Sequence, residues 1–218
     1  MKPLPISFFR RPAEVVAQDL LGATIISTLG GARASGRIIE TEAYLGRDDP
    51  ASHAYRGRLH RGNASLYATP GTWYVYRSYG IHWCANLVCE GPGPGGAVLL
   101  RAILPAEGVE TMRGRRGGAR DRDLSNGPGK LCQALSISDA LDGVPMRGSD
   151  VLVVGAGRET RPVLVTPRIG ISKAADWPLR FLIEPAGTRP AGSEGTCPSI
   201  RRPSVPALSF RARTAVRP

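Results

Sequence analysis

Two carboxylates and a tyrosine recur at every second position in Arg37-Ile38-Ile39-Glu40-Thr41-Glu42-Ala43-Tyr44-Leu45. The segment reads as a strand, in which successive side chains point to opposite faces. Glu40, Glu42 and Tyr44 therefore share one face, while Ile39, Thr41, Ala43 and Leu45 share the other. Acids are depleted from strands, so two on one face need either solvent beside them or a task. A carboxylate fixed on rigid scaffold is able to take a proton from a water or to stabilise a developing positive charge. The segment alone fits both readings, and it does not choose between Glu40 and Glu42. A complementary charge lies elsewhere. Arg101 interrupts the apolar run Ala97-Val98-Leu99-Leu100-Arg101-Ala102-Ile103-Leu104, which reads as a buried strand. A buried arginine needs a partner; Glu42 or Glu40 is the natural one, and a purely structural ion pair would look the same.

A second constellation is aromatic, Thr72-Trp73-Tyr74-Val75-Tyr76-Arg77-Ser78-Tyr79-Gly80. Tyr74 and Tyr76 share strand parity, whereas Tyr79 falls on the other parity or in the turn before Gly80. Trp73 and Tyr74 read as ordinary core and cross-strand aromatics. A ring facing a pocket and a ring standing at a turn are the two groups needed to hold a base taken out of a nucleic-acid stack and to fill the gap it leaves. His53, in a polar stretch, offers an imidazole that can stack and a backbone amide that can donate; a loop histidine without a role fits as well.

These residues must be carried by a scaffold whose outline is legible. Pro12 suits the first turn of a helix continued by Val15, Val16, Leu20 and Leu21 and stopped at Gly22. Strands are predicted over residues 23–28, 36–45, 81–89 and 97–104, with later ones at 151–154 and 163–165, and the run at 72–80 precedes them in the middle. Residues 46–71 are expected to form a long loop, and helical signals fall at 107–112 and 128–135. Helices and strands do not alternate as in a doubly wound sheet. The expected fold is α+β, a single mixed domain with a curved, largely antiparallel sheet flanked by helices. Residues 1–186 form that domain, and 187–218, rich in Pro, Arg, Ser and Gly, read as a disordered basic tail.

The chain has 218 residues, with 29 Lys+Arg against 18 Asp+Glu, a formal net charge of +11. That excess favours a polyanionic partner, nucleic acid or an acidic membrane surface. Five of those net charges lie in the tail, which has six arginines and one acid, Glu194. No stretch is long enough to span a bilayer, and the N-terminus lacks the features of a signal peptide. The spacing of His82, Cys84 and Cys89 is not that of a zinc site, and the cysteines read as buried thiols in a reducing cytoplasm.

Taken in order, Glu-Thr-Glu-Ala-Tyr at 40–44, His53, Pro-Gly-Thr-Trp-Tyr-Val-Tyr at 70–76, Tyr-Gly at 79–80, Asn86, Leu-Leu-Arg-Ala at 99–102 and Gly-Pro-Gly-Lys-Leu at 127–131 resemble the alkyladenine (3-methyladenine) DNA glycosylase family. The likeness runs from about Leu4 to Leu182 and includes Pro-Arg-Ile-Gly-Ile at 167–171 and Pro-Leu-Arg-Phe at 178–181. It implies a fold like the C-terminal domain of formyltransferases, no metal and no cofactor. It implies that Glu42 activates water, that Arg101 helps hold that water, and that Tyr44, His53 and Tyr76 sandwich the extruded base. It also implies that Tyr79 wedges into the duplex and that Asn86 crowds the purine 2-position against normal guanine. Between the two acids, it favours Glu42. The sequence departs from the family pattern at Arg61-Gly62-Asn63, where Gly62 displaces an arginine.

Cleaving an N-glycosidic bond builds positive charge on the sugar, which one carboxylate could stabilise while also accepting a proton from water. No lysine lies near residues 37–104, so a Schiff-base route has no obvious nucleophile. The reading is a monofunctional, monomeric, cytoplasmic enzyme used at the bacterial nucleoid, acting on double-stranded DNA with damaged purines and leaving an abasic site. The alternatives are a non-catalytic nucleic-acid-binding protein on the same scaffold, and RNA or membrane association through the tail. Phosphate contacts are expected from residues 126–130 and from the arginines of 113–122, the latter equally readable as a solvated loop.

Overall fold

Proline and glycine punctuate the first elements as the sequence suggests. Helix α1 (Ile6–Phe9) is followed by Pro12 and by α2 (Ala13–Asp19), and Gly22 turns the chain at a φ of +85°. The computed structural model describes residues 2–91, 93–155, 159 and 161–183. The tail expected over 187–218 lies outside the described residues. The structure has eight strands, β1 (Thr24–Ser27), β2 (Ala34–Tyr44), β3 (Trp73–Ser78), β4 (His82–Val88), β5 (Ala97–Glu107), β6 (Val151–Val154), β7 (Val163–Thr166) and β8 (Arg180–Ile183), among the described residues, and the last of them was not expected from the sequence. Helix α3 (Val109–Arg115) follows β5, and α4 (Pro128–Ala134) lies between α3 and β6.

The strands form one sheet in the order β3-β4-β5-β2-β1-β6. The edge of β2 is shared: its first half pairs with β1, and its residues Glu40 to Glu42 pair with β8, which in turn pairs with β7. Every ladder among the described residues is antiparallel. The expectation of an α+β domain with helices flanking an antiparallel sheet is met. The expected curvature is not, because the sheet is not strongly curled. Its order stays open, and no ladder among the described residues joins the outer strands β3 and β6. Register irregularities also offset one another. Ile39 on β2 and Arg101 on β5 both drop out of the ladder, and the pairing beyond them, Glu42 to Leu99, resumes the register held by Ile38 and Ile103. A single bulge bends its strand, but an extra residue on each of two facing strands leaves the sheet open while re-aiming the side chains at that point.

The face of β2 opposite the acids is core. Thr41 and Ala43 are fully buried, and the Thr41 hydroxyl donates to the Ala17 carbonyl on α2 at 2.8 Å. Trp73 is likewise fully buried, its indole N–H donating to the Val151 carbonyl at 3.2 Å.

Residues 46–71 are built as a series of short 3-10 turns, Gly46–Asp48, Tyr55–Gly57 and Arg61–Tyr67. Fully buried Asn63 holds them: Nδ2 donates to the carbonyls of His53 (3.0 Å) and Arg58 (2.9 Å), while Oδ1 accepts from the His60 amide at 2.8 Å. The glycine at 62 donates its amide to His60 Nδ1 at 3.1 Å, closing a cap on the third turn. This segment meets the stretch before β5 at Gly46, whose φ is +70° and where a Cβ would lie 1.9 Å from the Pro94 carbonyl oxygen. Gly46→Ala is therefore expected to destabilise the protein by about 2–5 kcal/mol, from left-handed strain and a backbone clash together. A urea unfolding midpoint equal to that of the wild type would refute this account of the close approach.

Candidate active site

Pairing register, rather than proximity in sequence, assembles the site. Tyr74 on β3 faces Asn86 on β4, Asn86 faces Leu99 on β5, Leu99 faces Glu42 on β2, and Glu42 faces Arg180 on β8. Directly paired residues point to the same side of a sheet, so one row across five strands puts Glu42 and Asn86 on one surface. Two residues along the strands, Tyr76 pairs with Cys84 and Tyr44 with Ala97. A cavity of about 310 Å³ opens on this surface. Tyr44, Tyr74, Tyr76 and Asn86 reach it from the strands, His53 from the 3-10 segment, and Gly170 and Ile171 from the stretch before β8. A second cavity of about 490 Å³ shares Tyr44, Tyr76 and Tyr79 with the first and extends past Arg101 to Arg116 and Lys130.

Glu42 is fully buried directly behind this wall. Its Oε2 accepts from the Tyr44 hydroxyl at 3.0 Å and its Oε1 from the Ile169 amide at 2.8 Å, with Arg101 at 3.3 Å. Loss of hydration raises its pKa above the ordinary glutamate value; the Arg101 charge and the two hydrogen bonds oppose this without cancelling it. Glu40 has the opposite balance. Burial pushes its pKa up, but hydrogen bonds from Arg180 and Arg101, both at 2.7 Å, outweigh that and hold it down. Two acids of one strand face are thus separated by environment: one is a firm anion, the other has a strengthened affinity for protons.

The aromatic groups make a continuous wall. His53 meets Tyr76 edge-on with ring centroids 4.5 Å apart, and Tyr76 stacks on Tyr74 at 5.4 Å and 25°. His53 Nδ1 and the Tyr74 hydroxyl are 2.6 Å apart. Partial desolvation beside these rings, with a smaller contribution from His60, lowers the imidazole pKa. On β2, the Tyr44 ring has the Arg168 guanidinium 4.7 Å above it. Asn86 is 3% exposed, and its Nδ2 donates to the Tyr74 carbonyl at 3.0 Å. Tyr79 stands apart from all of these. It occupies the tip of the β3–β4 hairpin at a φ of +50°, followed by Gly80 at +69°, with the Ile81 amide closing the turn on Ser78 at 3.0 Å. Tyr79 is 85% exposed.

The comparisons with known proteins bear on what such a site does. A family model described as methylpurine-DNA glycosylase matches residues 7–186. Proteins named for 3-methyladenine DNA glycosylase activity are similar along most of their length. One from Rhodopseudomonas palustris is 50% identical over 180 residues, covering 82% of this chain and 86% of its own. One from Agrobacterium fabrum is 48% identical over 181 residues, covering 83% and 89%. One from Granulibacter bethesdensis is 47% identical over 192 residues, covering 82% of each. The chain belongs to the methylpurine-DNA glycosylase family. Members of this family bind DNA, turn a base out of the duplex and hydrolyse its glycosidic bond in base excision repair.

Among the described residues of this glycosylase, no helix is long and apolar enough to cross a membrane, and no group of three or more His, Cys, Asp or Glu side chains is placed to hold a metal ion. Gly127, Pro128, Gly129 and Lys130 line the larger cavity, with Lys130 Nζ held by Asn126 Oδ1 at 2.8 Å. The arginines near 113–122 are largely engaged with the protein itself. Arg113 pairs with Glu110 and Asp121, and Arg115 donates to the carbonyls of Leu29, Ala32 and Ala134. Of Arg113, Arg115, Arg116, Arg120 and Arg122, Arg116 lines the groove.

Sequence reasoning missed four parts of the site. Tyr74 was read as a core aromatic, yet it lines the cavity and bonds His53; its shared parity with Tyr76 carried that signal. Ile169 contributes only a backbone amide, and Arg168 and Asp49 lie far from each other in sequence. Arg168 is 4% exposed and makes a two-pronged pair with fully buried Asp49, its second nitrogen at 2.9 Å from Oδ1. Asp49 also accepts from the Leu45 and Ala51 amides at 3.1 and 3.0 Å. The pair ties the Ile169 segment to the turn after β2. Asp49→Asn would leave the guanidinium buried without its anion, and a loss of about 3–5 kcal/mol is expected in thermal or denaturant unfolding. A loss below about 1 kcal/mol would show that the pair is not what fixes the segment.

Proposed function

We propose that this protein is a monofunctional glycosylase for alkylated purines in double-stranded DNA, with Glu42 as the group that activates water. One observation carries the reading: a buried carboxylate with raised proton affinity, flanked by Arg101, lies behind an aromatic cavity lined by Tyr44, His53 and Tyr76. The flipped purine enters that cavity and stacks on the rings, with Asn86 at its floor restricting groups at the purine 2-position. Tyr79 occupies the vacated position in the duplex. As the bond from sugar C1′ to the purine nitrogen breaks, its electron pair leaves with the base. A water oxygen bonds to C1′, and Glu42 takes the proton that the water loses. The products are a free base and an abasic sugar with the strand intact.

Cationic purines such as 3-methyladenine are the substrates this site favours. They carry a positive charge already and leave as neutral bases without needing a proton from the protein. The protein acts as a monomer, since a single chain carries every group invoked. Retention of both Glu42 and Arg101 separates this reading from a binding module, which requires neither.

The test is release of 3-methyladenine from alkylated duplex DNA. Glu42→Gln is expected to lose at least about 100-fold in single-turnover rate while still binding the DNA. Tyr79→Ala is expected to bind lesion DNA more weakly and to excise more slowly. The wild-type rate should rise with pH as Glu42 loses its proton, with a midpoint above the ordinary glutamate value because the group's pKa is raised. No base release by the wild type would favour the non-catalytic reading, and full activity in Glu42→Gln would transfer the role to another group.

A further inference from the structure

Glu40 is the one acid of the site that touches two cations at once. Its Oε1 accepts from Arg101 Nε and from Arg180 Nε, both at 2.7 Å. Arg180 is fixed in turn by donating to Thr166 Oγ1 at 3.1 Å on β7. Arg101 is one of the two residues that drop out of the β2–β5 ladder and Glu40 directly follows the other, Ile39, so the backbone itself brings them together. The consequence appears at the neighbouring acid. Arg101 comes no nearer to Glu42 than 3.3 Å, against 2.7 Å to Glu40, although the Arg101 and Glu42 side chains are 11% and 0% exposed. Arg180, paired with Glu42 in the β2–β8 register, likewise gives its Nε to Glu40.

A short, two-pronged arginine pair with Glu42 would hold the anion so firmly that it would be a poor acceptor for a water proton. We propose that Glu40 is a positioning residue for catalysis: by holding the Nε atoms of Arg101 and Arg180, it keeps both guanidinium groups from closing onto Glu42 and leaves Arg101 turned to the groove it lines. This rests on the reading of Glu42 as the base. Four neighbouring groups act on Glu42: Arg101 on β5, Arg168 and the Ile169 amide before β8, and Tyr44 on its own strand. Arg180 faces it from β8, and Cys84 on β4 lies close enough to interact.

The experiment measures single-turnover release of 3-methyladenine against pH, together with affinity for lesion DNA, in the full chain. In Glu40→Gln, the two arginines are left with one less anion, and more of their field falls on Glu42. The midpoint of the acid limb should move down by about one pH unit, and the plateau rate should fall about tenfold with DNA affinity unchanged. Glu40→Asp keeps the charge and should keep the midpoint near that of the wild type. Arg180→Gln removes a cation and should move the midpoint the opposite way, upward, which supplies a second test should Glu40→Gln not fold. A merely structural Glu40 would leave both midpoints in place, and that result, or a shift of the same sign in both variants, overturns the proposal. Glu42→Gln in the same series keeps the two readings distinguishable. An active Glu42→Gln removes the base assignment and this inference with it, whereas an inactive Glu42→Gln beside unmoved midpoints removes this inference alone.

Discussion

A carboxylate taken fully out of water is the constraint to which the rest of the site responds. Removing an ion from solvent costs several kcal/mol unless its neighbours replace the lost hydration. Among the described residues two carboxylates are fully buried, Glu42 on β2 and Asp49 in the turn after it, and the protein treats them differently. Asp49 receives both prongs of Arg168 and two backbone amides, so its oxygens are saturated with strong donors. Glu42 receives one hydroxyl, one amide and an arginine at 3.3 Å. The first arrangement makes a structural clamp. The second leaves a charge under-compensated, which is why burial prevails and raises the proton affinity of Glu42.

The two carboxylates are mechanically joined. Arg168 binds Asp49, donates to the Ala43 carbonyl at 3.1 Å and lies over the Tyr44 ring. Its neighbour Ile169 donates to Glu42. One residue pair therefore fixes both the Tyr44 ring and the Ile169 amide that donates to Glu42, the proposed base. Such a network holds its members to a narrow set of positions because the loss of any donor exposes a buried charge. Loops usually carry the functional groups of enzymes at a cost in precision; here the 167–171 segment gains the rigidity of the sheet through an ion pair sealed beneath it.

Much of this was legible from residue type and alternation. The strand that carries Glu40, Glu42 and Tyr44, the aromatic strand, the hairpin glycine and the arginine in an apolar run all announce themselves locally. Three things do not. Register is set by pairing between strands, so nothing in the sequence of β5 says that Leu99 faces Glu42 while Arg101 slips out of the ladder. Strand β8 is four residues long, too short for a periodic signal, yet it brings Arg180 to Glu40. Backbone donors such as the Ile169 amide carry no residue identity at all. The curvature expected of the sheet failed for a related reason: offsetting irregularities on two strands are invisible when each strand is read alone. The choice between Glu40 and Glu42 was likewise beyond alternation, because both lie on one face and only their partners differ.

Tyr79 shows how the same sheet serves a surface whose partner is a duplex. The turn from Ser78 to Ile81 has positive φ at both central positions, Tyr79 and Gly80, but a tyrosine there is uncommon, and such strain costs about 1–3 kcal/mol. An exposed ring gains nothing from burial to offset that cost in the free protein. A longer turn would relieve the strain and let the ring fold back onto Ile81 or the aromatic wall. The short turn denies it that option: β3 and β4 stay in register up to Ser78 and His82, and the ring is held outward at 85% exposure. The strain and the lost burial are thus incurred before DNA arrives, and for the wedge role proposed for Tyr79 the ordering of the ring does not have to be subtracted from the energy of opening the duplex. In the proposed mechanism, insertion of the ring into the stack restores the apolar contact that the hairpin withholds from it, as the purine leaves for the cavity beside Tyr76.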